Sequence, residues 1–241
     1  MRSKSKTIIV TGASQGIGAG VTKAFLERGY NVVANSRDIT KSTFVPGEHL
    51  VLVGGNIGQA STAEKVAEEA IRKFGSIDGV VNNAGIFFTK PFTQYTAEDF
   101  RRLSETNLEG YIYITQLAVK QMLAQKTGGS VTGITSAMVH HPIAGVNASL
   151  PMITKGGLEA ITRSLALEYA ADGIRFNAVA PGIVDTPMHA NDSRDALAGL
   201  SPMGMIPSVE DIVEAVLYLT EARQVTGEVL HVDAGAHNGK W

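Results

Sequence analysis

Cysteine is absent from the 241 residues, and with it go disulfides, thiol nucleophiles and thiolate metal sites. Long apolar runs are absent too. After the basic start Arg2, Lys4 and Lys6 comes only Ile8-Ile9-Val10, far too short for a signal core or a membrane span. Nor does one sign of charge dominate: 21 Lys and Arg face 23 Asp and Glu, a formal net charge of -2. The basic clusters are short, so electrostatics offer no footprint for nucleic acid or an anionic membrane. These absences point to a cytoplasmic protein with no membrane, nucleic-acid or metal partner, acting on small molecules or assembling with its own copies.

What the chain does hold is glycine, 26 residues of it, above the roughly 7% of average usage. Several sit between short β-branched runs and longer amphipathic stretches, the alternation of βαβ units. Strands are expected at Thr7–Val10, Asn31–Ala34, Leu50–Val53, Gly79–Val81, Ser130–Ile134, Arg175–Val179 and Val229–Val232. Helical spacing covers Gly18–Glu27, Thr62–Phe74, Glu98–Leu123, Thr154–Tyr169 and Val209–Leu219. Capping boxes are expected at Ser61 with Glu64, Thr96 with Asp99, and Ser208 with Asp211. The segment Pro187–Pro207, with His189, Asn191, Asp192 and Ser193, is polar and irregular and is expected to be a lid. No linker divides the chain, so the fold class is α/β, a single domain over residues 1–241 with a doubly wound sheet of seven mostly parallel strands flanked by helices. A chain this long buries roughly 70 to 75% of its unfolded surface and needs no staple.

The stretch Thr11-Gly12-Ala13-Ser14-Gln15-Gly16-Ile17-Gly18 follows the first strand and opens the first helix. Its glycines stand where a pyrophosphate approaches bare backbone, and the helix N-terminus adds free N–H groups and partial positive charge. At the end of the second strand Ser36 and Arg37 offer a hydroxyl and a guanidinium, which suit a phosphate monoester on the adenosine ribose. NADP is therefore the expected cofactor, with NAD left open by the neighbouring Asp38.

Together with this loop, Asn82-Asn83-Ala84-Gly85, Asn107, Ser136, Lys155, Pro181-Gly182 and the ending Val225–Asp233 resemble the short-chain dehydrogenase/reductase family over essentially the whole chain. The resemblance implies a Rossmann-type fold, an NAD(P) cofactor, and interconversion of an alcohol and a carbonyl on a small substrate. It implies contacts to the cofactor from Gly12, Ser14, Ile17 and Gly18, and from Asn83, Ala84 and Gly85 near the adenosine ribose. Asn56 and Ile57 fall at the adenine, and Pro181, Gly182, Ile183 and Thr186 at the nicotinamide. It further implies that Ser136 bonds the substrate oxygen, Lys155 binds the nicotinamide ribose, and Asn107 orders a water for a proton relay. A homotetramer is implied as well, packed through Glu98–Leu123 and Thr154–Tyr169, with Trp241 near another interface.

The family's proton donor is a tyrosine four residues before the lysine, and that position holds Pro151. The spacing common in the family, counted from Ser136, reaches Ser149 instead, and neither register finds a tyrosine. A positioned donor contributes about 10² to 10⁴ in rate. His140 or His141 after Ser136, Lys155 itself, Ser149 through water, or water alone stand as replacements. Two functions remain open: an oxidoreductase with altered acid–base chemistry, or a nucleotide-binding protein without turnover.

Overall fold

The structure, a computed structural model, describes residues 5–187 and 193–239. Seven strands, β1 (Thr7–Thr11), β2 (Asn31–Ser36), β3 (Leu50–Gly54), β4 (Gly79–Asn82), β5 (Gly129–Ile134), β6 (Ile174–Pro181) and β7 (Val229–Val232), pair in the order β3-β2-β1-β4-β5-β6-β7. Every ladder is parallel, in this Rossmann-like single domain. Each strand lies within two residues of its expected bounds, because strands buried on both faces read as unbroken apolar runs.

Alternate residues go to opposite faces. Ile8 and Val10 pack with α1 (Gly16–Glu27) and α7 (Val209–Glu221). Ile9 packs on the other face with α2 (Ala60–Phe74), α4 (Gly110–Gln125) and α5 (Ser149–Glu168). Fully buried Phe25 and Phe176 anchor these two layers, each contributing on the order of 2 kcal/mol.

Two expected capping boxes form. Thr96 Oγ1 accepts from Asp99 N at 3.1 Å while Asp99 Oδ2 accepts from Thr96 N at 2.9 Å, and Ser208 and Asp211 do the same. The third does not: α2 starts earlier, at Ala60 after Gln59, so Ser61 is already inside the helix. The expected helix Glu98–Leu123 is interrupted. It divides into α3 (Ala97–Ser104), a π-helical turn Glu105–Glu109, and α4. A wider i→i+5 turn changes backbone bonding with no Gly or Pro inside it, and Gly110 directly after it does not by itself break a helical pattern, so periodicity alone does not reveal it.

Helix α5 begins five residues before the expected Thr154 and takes in Pro151 as its third residue. First-turn N–H groups have no intrahelical acceptor, so a proline is compatible there. Within Pro187–Pro207 the chain forms a short helix, α6 (Arg194–Ala198), capped by Ser193, and Arg194 pairs with Asp185. His189, Asn191, Asp192 and Trp241 lie outside the described residues. No helix among the described residues is long and apolar enough to cross a membrane.

Candidate active site

Strands β1 and β4 are neighbours, and the chain winds outward from them in both directions, so the loops at their carboxyl ends part and open a crevice. The glycine-rich loop forms one wall. Gly12 has φ +66°, and a Cβ on Gly18 would lie 2.2 Å from Gly12 O, so both positions require bare backbone. Asn83 Nδ2 donates to Thr11 O at 3.0 Å and Gly12 O at 3.1 Å. In return Thr11 Oγ1 accepts from the backbone N of Asn83 at 3.1 Å and of Ala84 at 3.0 Å. The N-terminus of α1 has neither a side-chain cap nor an acidic residue in its first turn, which leaves its N–H groups and dipole open to an anion. Ser14, Gln15, Gly16 and Ile17 all belong to this loop and first turn.

At the end of β2, Ser36 Oγ donates to Ser14 Oγ at 2.9 Å. Arg37 is exposed and makes no ion pair among the described residues. Asp38 turns the other way: its carboxylate takes a 2.5 Å bond from Thr40 Oγ1, with Lys41 Nζ at 3.6 Å, and the Thr40 hydroxyl holds it below the ordinary carboxylate range. The residues expected at the adenine have partners within the protein. Asn56 Nδ2 donates to Glu105 at 2.7 Å and its Oδ1 accepts from Gly58 N at 3.1 Å, while Ile57 is buried in the core. These bonds fasten the loop after β3 to the π-turn, which uses the amide that was expected to face a ligand.

Lys155 lies on the buried face of α5, and Nζ donates to Ile134 O at 2.7 Å, its one hydrogen bond among the described residues. Burial brings its pKa down from 10.5 to about 8. A Cβ on Gly85 would lie 3.2 Å from Lys155 Nζ and 3.3 Å from Asn107 Oδ1, so glycine there keeps both groups close. Asn107 stands in the π-turn, almost fully buried. Its Oδ1 accepts from Ile86 N at 2.8 Å, and Nδ2 donates to Ile86 O at 3.1 Å and Thr154 Oγ1 at 2.9 Å. Both amide protons are thus engaged within the protein, and the side chain clamps loop to helix. Thr154, which sequence reading passed over, extends the chain by donating to Pro151 O at 2.8 Å.

A cavity of about 840 Å³ joins Lys155, Ser136 and His141 to Gly85, Ile17, Pro181, Gly182, Ile183 and Thr186. Its outer part is apolar, with Ile86, Phe87, Met138, Ile143, Leu197 and Met205. Ser136 Oγ accepts from Met138 N at 3.3 Å, which leaves its own proton to donate. His140 is not on this wall. Its Nε2 lies 2.6 Å from Glu159 Oε2, so the adjacent imidazoles face different surroundings. Glu159 also went unnoticed in the sequence; the available signal was a carboxylate one turn beyond Lys155 on the buried face of α5.

A family model described as enoyl-(acyl carrier protein) reductase matches residues 12–237. The 3beta-hydroxysteroid dehydrogenase 1 of Eggerthella lenta is 33% identical over 246 residues, covering 96% of this chain and 94% of the relative. The chain belongs to the short-chain dehydrogenase/reductase family. Among solved members, the 3-ketoacyl-(acyl-carrier-protein) reductase of Brucella melitensis, complexed with NADH, superimposes with a TM-score of 0.90 at 28% identity, over 96% of this chain and 98% of that one. A tyrosine-to-phenylalanine variant of ElxO with NADPH bound gives 0.89 at 27% identity, over 97% and 99% of the two chains.

Proposed function

We propose that the chain is a nicotinamide-dependent oxidoreductase that interconverts an alcohol and a carbonyl on a small, largely apolar substrate, with Lys155 holding the transferable proton. The observation that carries this reading is Lys155 itself: a buried, cavity-lining ammonium whose pKa falls to about 8 and which donates one hydrogen bond to Ile134 O. An acid or base poised near the working pH is the requirement for proton transfer. Ser136 donates a hydrogen bond to the substrate oxygen, and Lys155 Nζ stands as its proton source. His141 and Asp233 are the other ionisable groups on the wall.

The bare backbone at Gly12 and Gly18 and the open end of α1 fit a pyrophosphate, with Pro181, Gly182, Ile183 and Thr186 beside the nicotinamide. When bound, the nicotinamide supplies or receives the hydride. NADP is favoured over NAD, since Arg37 is free for a phosphate while Asp38 is engaged by Thr40 and Lys41. The homologues support the class: one is named a hydroxysteroid dehydrogenase, and solved members carry NADH or NADPH. A homotetramer accords with exposed Ile153 and Leu167 on α5 and Leu123 on α4, and sedimentation as a monomer at micromolar concentration would refute it.

The second reading is a nucleotide-binding protein without turnover. Buried Pro151 and the engaged Asn107 amide favour it, and the ElxO variant lacking a tyrosine hydroxyl is recorded with NADPH bound. NADPH oxidation against a panel of apolar ketones and aldehydes separates the two. Carbonyl reduction is expected to fall as pH rises through about 8, where Lys155 loses its proton. Cofactor binding with no oxidation of any compound decides for the second reading, and a rate that does not change across that pH removes Lys155 as donor.

A further inference from the structure

One ionisable cluster borders the cavity, which it reaches through Asp233. Glu159 is 2% exposed, and a buried carboxylate needs a partner. Its Oε2 lies 2.6 Å from His140 Nε2 and 3.7 Å from Arg163 Nη2. Its Oε1 has no partner among the described residues. The His140 ring meets His231 of β7 edge-on at 5.2 Å between centroids, and His231 stacks on His237 at 4.0 Å. His237 Nδ1 in turn lies 2.9 Å from Oδ2 of buried Asp233. His231 is therefore held between two imidazoles that each have a carboxylate, and its own Nε2 is buried without a partner. Burial first, and then His237, lower its pKa. These groups form no metal-binding set among the described residues.

His140 also closes the 3₁₀ turn that Ser136 opens. Val139 N donates to Ser136 O at 3.1 Å, and the N–H groups of His140 and His141 both donate to Ala137 O at 3.2 Å. Fixing one end of so short a turn fixes the other. We propose that Glu159, acting through His140, is a positioning residue that clamps the 136–141 turn to α5 and β7, and with it the cavity-facing Ser136 and His141. The turn's part in turnover rests on the function proposed above; the clamp does not.

The charged and titratable groups around His140 are Glu159 and Arg163 from α5, His231 from β7, Asp233 and His237 beyond it, and His141 next in the chain. The 2.6 Å contact to Glu159 is the one hydrogen bond of the His140 side chain among the described residues, so the end of the turn hangs on it.

Amide hydrogen exchange on the full chain tests this without a substrate. Protection of residues 137–141 is expected to be about tenfold lower in Glu159→Ala than in wild type at the same pH. Glu159→Gln, which keeps the shape and a hydrogen bond, is expected to retain most of it. His140→Ala, at a partly exposed position, should reproduce the tenfold loss even if the buried substitution fails to fold. Wild-type protection of these amides in His140→Ala, or an equal loss in Glu159→Gln and Glu159→Ala, overturns the proposal. Because the measurement involves no turnover, a protein that binds cofactor without catalysis still shows the clamp.

Discussion

Replacing Lys155 by Met should stabilise the protein at neutral pH while removing its proposed chemistry. In the folded chain burial lets the ammonium lose its proton at about pH 8, whereas in the unfolded chain it holds that proton up to 10.5. Below pH 8 both states are charged and the folded state carries the whole desolvation penalty, which the displacement sets at about 3 kcal/mol. Between pH 8 and 10.5 the unfolded state binds more protons, so wild-type stability rises with pH until the penalty is gone. Methionine has similar length and no charge, but it gives up the 2.7 Å bond to Ile134 O, a loss of about 1 kcal/mol. The variant should therefore be about 2 kcal/mol more stable than wild type at pH 7, with the difference vanishing and reversing by about pH 10.5. Urea unfolding of the two proteins at several pH values measures this, and every other titrating group cancels in the comparison. Parallel stability curves across the window would refute a buried, depressed Lys155, as would a variant already less stable at pH 7.

Three further outcomes are expected. Arg37→Ala should weaken NADP binding at least tenfold, on the order of one charge-assisted contact, and leave NAD nearly unchanged; calorimetry with both nucleotides checks this, and equal losses exclude the phosphate contact. Pro151→Tyr should raise kcat/KM on any carbonyl turned over by about 10² or more, since it places a phenol one helical turn before Lys155; an unchanged rate means this position does not reach the reacting oxygen. Gly18→Ala drives a methyl to 2.2 Å from Gly12 O and should abolish nucleotide binding and lower the melting temperature; nucleotide titration showing wild-type affinity would mean the loop does not form the cradle.

The sheet was legible because parallel strands buried on both faces are short apolar runs, and nothing else in the chain imitates them. The glycine-rich loop was legible for a similar reason, since a strand, a tight turn and a helix start occur at fixed spacing. Side-chain direction was not. His140 and His141 are indistinguishable as adjacent letters, yet one bonds Glu159 and the other lines the cavity, because successive residues of a turn point to different sides. Asn56 was expected at the adenine, and only the approach of Glu105 across the fold shows its side-chain N–H to be engaged. The start of α5 was placed late, at Thr154, because the apolar helical spacing becomes clear only there, while Pro151 sits in the first turn, where its missing N–H has no partner to lose.

The π-turn at Glu105–Glu109 makes this part of the chain unusually sensitive to length. One residue of a regular helix advances about 100°, so removing a single residue between α3 and α4 would restore an unbroken helix and swing everything on one side of the cut by more than a quarter turn. Backbone bonding would improve, while Asn107 would leave Ile86 and Thr154 and the α2-facing side of α4 would lose register with its partner. The segment tolerates exchange of letters more readily than loss of one, so a single deletion here would separate good helix formation from a competent site more cleanly than any substitution.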